Sequence, residues 1–140
     1  MQQQISVITL GIAALAPSRR FYTEGFGWTP VFENDEIVFY QMNGLVLGTW
    51  LQSALEADMT RGGLTRPGAF ALAHNVGSAA EVEAAIDRLV AAGGTLLRAG
   101  DAPAHGGFRG YVADPDDHAW EIAWNPDWPI DAEGHVRFDA

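Results

Sequence analysis

The pair Asn43-Gly44 lies between two apolar, β-prone runs, in the segment EIVFYQMNGLVLGTWL. Asn-Gly is the preferred centre of a two-residue type I′ hairpin, whose two central residues both take positive φ. A hairpin centred there places Met42 opposite Leu45, Gln41 opposite Val46, Phe39 opposite Gly48 and Ile37 opposite Trp50. Alternate residues share a face, so Ile37, Phe39, Gln41, Val46, Gly48 and Trp50 form one side. Val38, Tyr40, Met42, Leu45, Leu47 and Thr49 form the other. Both sides are mostly apolar. Such a hairpin must be covered twice, or covered once while its other side lines a pocket.

The elements around it come in a repeated order. Ile5 to Leu10 reads as a strand, Ser18 to Glu24 as a short helix ended by Gly25 and Gly27, and WTPVFE as a strand before the hairpin. Residues 52–67 turn polar and connect two halves, opening with a helical turn. The second half repeats the pattern. AFALAHNV reads as a strand, and SAAEVEAAIDRLVAAGG as a helix with Ser78 as N-cap and Glu81 completing a capping box. Its apolar stripe is Val82, Ile86, Leu89 and Val90, and Gly93-Gly94 ends it. TLLR, FRGYVA and HAWEIAW follow as strands. Each half is β-α-β-β-β, and two copies imply paired modules rather than a solenoid. The expected division is one domain over 1–140, with modules at about 4–52 and 68–126, a connection at 53–67 and a surface-wrapping tail at 127–140.

Composition removes several classes of function. The absence of cysteine excludes disulfides, thiol nucleophiles and cysteine-bound metal. A net charge of −10, from 18 acidic and 8 basic residues, disfavours nucleic acid, which needs a basic face. The start lacks a basic flank before its apolar run, and no apolar run is long enough to span a membrane. A soluble cytoplasmic protein is expected.

The last strand carries the chemical question. In GYVADPDDHAWEIAWNP a single carboxylate, Glu121, stands among Ala, Trp and Ile. A buried charge is costly unless paired, protonated or bound to metal. The turn before it, Asp114-Pro115-Asp116-Asp117, lacks the later bidentate Glu of a calcium loop and is ordinary turn chemistry.

The paired modules, Phe21-Tyr22 followed by Gly27-Trp28, and ADPDDHAWEIAWNP resemble the vicinal oxygen chelate superfamily of glyoxalases, bleomycin-resistance proteins and extradiol dioxygenases. The resemblance implies an α+β, glyoxalase-like fold in which two tandem βαβββ modules form a curved mixed β-sheet half-barrel. It also implies four inward metal-ligand positions, on the first and last strand of each module. Carried over, these fall on Val7, Gly48, Ala69 and Glu121, and only Glu121 is a ligand. Ser6, Thr9, Thr49 and Phe70, reached by small slips, do not repair the set. A divalent site needs several converging donors, so no cofactor is expected.

Parity gathers Phe39, Gly48, Trp50, Ala69, Ala71 and Glu121 on one concave surface, small residues leaving room and aromatic ones giving walls. Phe108 and Arg109 join them from the loop APAHGG, which is expected to fold over the mouth. Glu121 has three readings: a relic of the implied metal position held by a hydrogen bond or an ion pair with an Arg such as Arg109 or Arg98, an anchor for a cationic ligand, or a general acid or base with His105 as its weak companion. His74, His118 and His135 fall off the inner face or in the tail. The expected function is binding of a small, partly apolar molecule by a homodimer, without the usual metal and with no nucleic-acid or membrane partner. The alternatives are a metal-dependent glyoxalase-type lyase or dioxygenase with a degenerate site at Glu121, and a structural or regulatory dimer without ligand.

Overall fold

The structure is a computed structural model describing residues 1–138; Asp139 and Ala140, the end of the expected tail, lie outside the described residues. The first module runs β1 (Val7–Ile12), α1 (Leu15–Arg20) continued by a π-helical turn (Phe21–Gly25), β2 (Pro30–Glu33), β3 (Ile37–Gln41) and β4 (Val46–Leu51). The connection begins with a two-turn helix, α2 (Gln52–Met59). The second module runs β5 (Leu72–Asn75), α3 (Ala79–Ala91), β6 (Thr95–Asp101), β7 (Phe108–Ala113) and β8 (Ala119–Trp124). No helix is long and apolar enough to cross a membrane among the described residues.

Each module folds into its own four-stranded mixed sheet, in the orders β1-β4-β3-β2 and β5-β8-β7-β6. In each, the first strand lies parallel to the last, which requires the helical crossover the repeated order supplies. The α+β, glyoxalase-like architecture is therefore present, as two separate ladders rather than one continuous sheet among the described residues.

The hairpin has the expected register, with Phe39 opposite Gly48 and Ile37 opposite Trp50. Its turn differs from the expected type I′. Gly44 has φ +90° while Asn43 is not among the residues with positive φ. The Asn43 amide instead reaches out and donates to the Glu133 carbonyl at 3.3 Å, fastening the tail to the hairpin.

In α3, Ser78 Oγ accepts from the Glu81 N–H at 3.2 Å, as the cap signal requires. Val82, Ala85, Ile86 and Leu89 are its buried stripe, whereas Val90, expected to join them, is 40% exposed. Position 90 lies beside the stripe once Ala85 completes it. Ser78→Ala is expected to cost about 1 kcal/mol, read as a lower urea midpoint at unchanged slope.

The helix-facing sides of both sheets share one core. Leu10, Val38, Tyr40 and Leu47 from the first join Val112, Trp120 and Ile122 from the second, with Phe21 and Tyr22 between. Aromatic rings bridge the modules: Phe26 stacks on Trp28 at 4.2 Å and tilts against Trp120 at 4.8 Å. Offset and tilted aromatic pairs of this kind add to the gain from burial alone. With the helix sides fused, the opposite face of each sheet stays open, and on the first of them Val7 and Phe32 are each 50% exposed.

Candidate functional site

The open face of the first sheet is built in rows. Thr9, Gly48 and Phe39 lie side by side, as do Gly11, Trp50 and Ile37. A methyl group placed on Gly48 would sit 3.0 Å from the Phe39 ring. The missing side chain is thus what lets the ring lie across the strand. Phe39 and Trp50 are half-buried on this surface.

On the second sheet, Ala73, Glu121 and Tyr111 form one row, and Arg109 lies opposite Ala123 in the next row of the same face. The partner of Glu121 is neither Arg98 nor Arg109. The Tyr111 hydroxyl donates to Glu121 Oε2 at 3.0 Å. Arg98 pairs with Asp101 at 2.8 Å, and Arg109 pairs with the same carboxylate. Partial burial, then the bond to Glu121, pushes the Tyr111 phenol above its ordinary pKa. The phenol therefore stays a donor, and Glu121 is a half-buried carboxylate with one fixed neutral partner.

The remaining expected residues are placed differently. Ala69 and Ala71 precede β5 rather than belonging to it, since the strand starts at Leu72, and both are exposed. Phe108 has core parity: it lies opposite Trp124, packs against the shared core and fills the space a side chain on Gly100 would need. His105 is exposed in its loop and makes no hydrogen bond to Glu121 among the described residues. Phe39, Gly48 and Trp50 thus gather on one sheet, and Arg109 and Glu121 on the other.

Sequence reasoning missed a buried polar junction. Asp114 Oδ1 accepts from the backbone N–H groups of Asp116 and His118 at 2.9 and 2.8 Å. Oδ2 accepts from the Tyr22 hydroxyl at 2.7 Å, and His118 Nδ1 lies 2.8 Å from that oxygen. Trp120 Nε1 then donates to the Tyr22 oxygen at 3.2 Å. Burial, then the Asp114 charge, hold the Tyr22 phenol protonated far above its usual range. The local part of this signal was the four-residue spacing of Asp114 and His118; Tyr22 comes from the other module.

The residues present do not fit the metal that the resemblance implies. Val7 is an aliphatic, Gly48 lies beneath a phenyl ring, and Ala69 is outside any strand. The rows themselves offer Thr9 beside Gly48 and Ala73 beside Glu121, so a register shift adds no imidazole or carboxylate. Among the described residues, three potential ligands converge only at Asp131, Glu133 and His135 in the tail. There Asp131 already caps its own turn and pairs with Arg137 at 3.0 Å.

Similar proteins bear on this geometry. Residues 4–122 match the family model of the Glyoxalase/Bleomycin resistance protein/Dioxygenase superfamily. A glyoxalase-related enzyme from Fulvimarina pelagi is 62% identical, with 99% of this chain and 100% of that one covered and a TM-score of 0.97. Lactoylglutathione lyase from Agrobacterium tumefaciens (20% identity, 94% and 100% covered, TM-score 0.71) shares the fold. So does the fosfomycin resistance protein FosX from Listeria monocytogenes (21%, 89% and 95%, TM-score 0.68). No curated protein matches the chain. With the family model spanning most of its length and the two βαβββ modules in place, the chain belongs to the glyoxalase, bleomycin-resistance-protein and dioxygenase superfamily.

Proposed function

We propose that this protein is a cytoplasmic homodimer that binds a small, partly apolar molecule on its open sheet faces, without the metal-centred chemistry known in its superfamily. The observation that carries the reading is the setting of Glu121: one carboxylate, held by the Tyr111 phenol, in a row completed by Ala73. That arrangement provides a polar anchor and space, and it lacks the second and third donors a divalent ion needs. The apolar exposure of Val7 and Phe32 on the other sheet supports a second copy as cover. Phe39 and Trp50 supply flat walls, and sequestration of a drug-like molecule is one version of the function.

The metal-dependent lyase or dioxygenase is the second reading, favoured by the name of the 62% identical glyoxalase-related enzyme. Elemental analysis together with thermal shift separates the two. Under the proposal, purified protein carries nickel, zinc, iron and manganese well below one equivalent. A panel of small organic molecules, cationic drugs included, then yields ligands that raise the melting temperature by several degrees when present at about a hundred times their dissociation constant. The rise disappears in Glu121→Gln. Stoichiometric metal that is lost in Glu121→Gln would establish the second reading instead.

A further inference from the structure

A second cavity, of about 800 Å³, lies at the far end of β1 between α2, the connection and the turn before β8. Its wall is fixed rather than loose. The Leu64 N–H donates to Glu56 Oε1 at 2.9 Å, and the Gln52 amide donates to the Leu64 carbonyl and to Glu56. These bonds fold residues 60–64 back onto α2. The polar lining is Thr9, Gln52, Arg61, Thr65, Arg66 and His118, with Asp116 and Asp117 at the turn.

Two observations indicate what the cavity takes. The chain has eight cationic side chains, all arginine. Arg19, Arg20, Arg98, Arg109 and Arg137 are each in an ion pair. Of the three that have none among the described residues, Arg61 and Arg66 line this cavity. In a chain of net charge −10, two guanidiniums outside any ion pair meet at one concavity, matched in number there by Asp116 and Asp117. The second observation is His118, which is 5% exposed yet lines the same cavity. Asp114 engages its Nδ1 at 2.9 and 2.8 Å, which leaves Nε2 as the ring nitrogen without a protein partner among the described residues. The opposing charges are Asp116 and Asp117. Burial raises the Asp116 pKa, and its carboxylate is tied to the Ala13 N–H at 2.7 Å.

We propose that this cavity is a binding site for a small molecule bearing a carboxylate or phosphate group, held by Arg61 and Arg66 and by the Nε2–H that His118 donates when both its ring nitrogens carry a proton. Guanidinium matches both oxyanions through paired N–H donors. Asp114 fixes the ring orientation from behind, as a carboxylate does for a ligating imidazole. The site does not use Glu121, although Thr9 and Gly11 on its wall belong to the open face of the first sheet.

The test titrates the full-length protein with inorganic phosphate and, separately, with succinate. Heat is followed by calorimetry, and the His118 imidazole by nitrogen-15 correlation spectra. Saturable binding of either probe with a concerted shift of the His118 signals is expected, and the probe that binds identifies the head group. Arg61→Ala/Arg66→Ala, a surface change, is expected to weaken binding tenfold or more, since hydrogen bonds to charged groups carry enough energy for that factor. Glu121→Gln is expected to leave it unchanged. No saturable shift of His118 by either probe, undiminished affinity in the double variant, or loss of binding in Glu121→Gln would each overturn the proposal.

Discussion

Asp114→Ala is expected to lower the stability of the protein by about 3–5 kcal/mol, the usual cost of removing one partner from a buried, hydrogen-bonded charge cluster. Asp114 is 2% exposed, and its two oxygens receive two backbone N–H groups, a phenol and an imidazole. Alanine would strand all four, at about 1–3 kcal/mol for each buried donor, less whatever relaxation recovers. For a chain of this size the melting temperature should fall by roughly 10 °C or more. Tyr22→Phe removes the hydroxyl's bonds to Asp114 and to the Trp120 indole and keeps the ring against Phe26 and Trp28, so it should cost about 1–3 kcal/mol. Tyr22 and Asp114 belong to different modules. A double-mutant cycle in urea should therefore return a coupling of about 1 kcal/mol or more, as for residues within one hydrogen-bond network. An Asp114→Ala protein within about 1 kcal/mol of wild type would show that the junction adds little to the stability that the shared core already supplies.

Whether a feature could be read from the sequence depended on how locally it was encoded. The register of β3 and β4 followed from one dipeptide because alternation leaves two faces and the turn selects the pairing. The Ser78 cap was legible for the same reason: donor and acceptor lie three residues apart. The partner of Glu121 was equally within reach. Counting outward from the closed turn, where the Asp114 N–H bonds the His118 carbonyl, puts Tyr111 directly opposite Glu121. The arginines drew attention away because a charge suggests an opposite charge. Their true partner, Asp101, faces them through a strand whose register slips twice, between Leu96 and Arg98 and again before Asp101. No spacing rule anticipates such bulges. The cavity over β1 was the least legible feature. It exists because Glu56 captures the N–H of Leu64, and nothing in a polar connection announces where it folds back. The carried-over metal positions show the reverse case. Val7 and Ala69 miss the rows of Gly48 and Glu121, yet Thr9 and Ala73, which occupy those rows, lead to the same chemical conclusion.

Gly110→Val is expected to cost about 3 kcal/mol, the upper end of the range for forcing extra atoms into a packed core. Gly110 lies in the middle of β7, opposite Ile122, on the face that α3 covers. A Cβ there would meet Ile86 Cδ1 at 2.5 Å, the Arg98 carbonyl oxygen at 2.8 Å and the Gly100 nitrogen at 3.2 Å. Ile86 can rotate its terminal methyl away. The other two atoms are backbone of β6, and moving them breaks the β6–β7 ladder at the point where its register already slips. Valine's preference for strands, at most about 1 kcal/mol, offsets only part of this. Gly62→Ala is the matched control: it lacks positive φ, nothing lies within 4 Å of its added methyl group, and its stability should stay level or rise slightly. Urea unfolding of both variants reads the contrast, and the Gly110 protein should also lose the steep single transition if α3 detaches from its sheet. Equal stability of Gly110→Val and wild type would mean that α3 does not sit this close to β7, and the packing of the helix side against the second sheet would have to be redrawn.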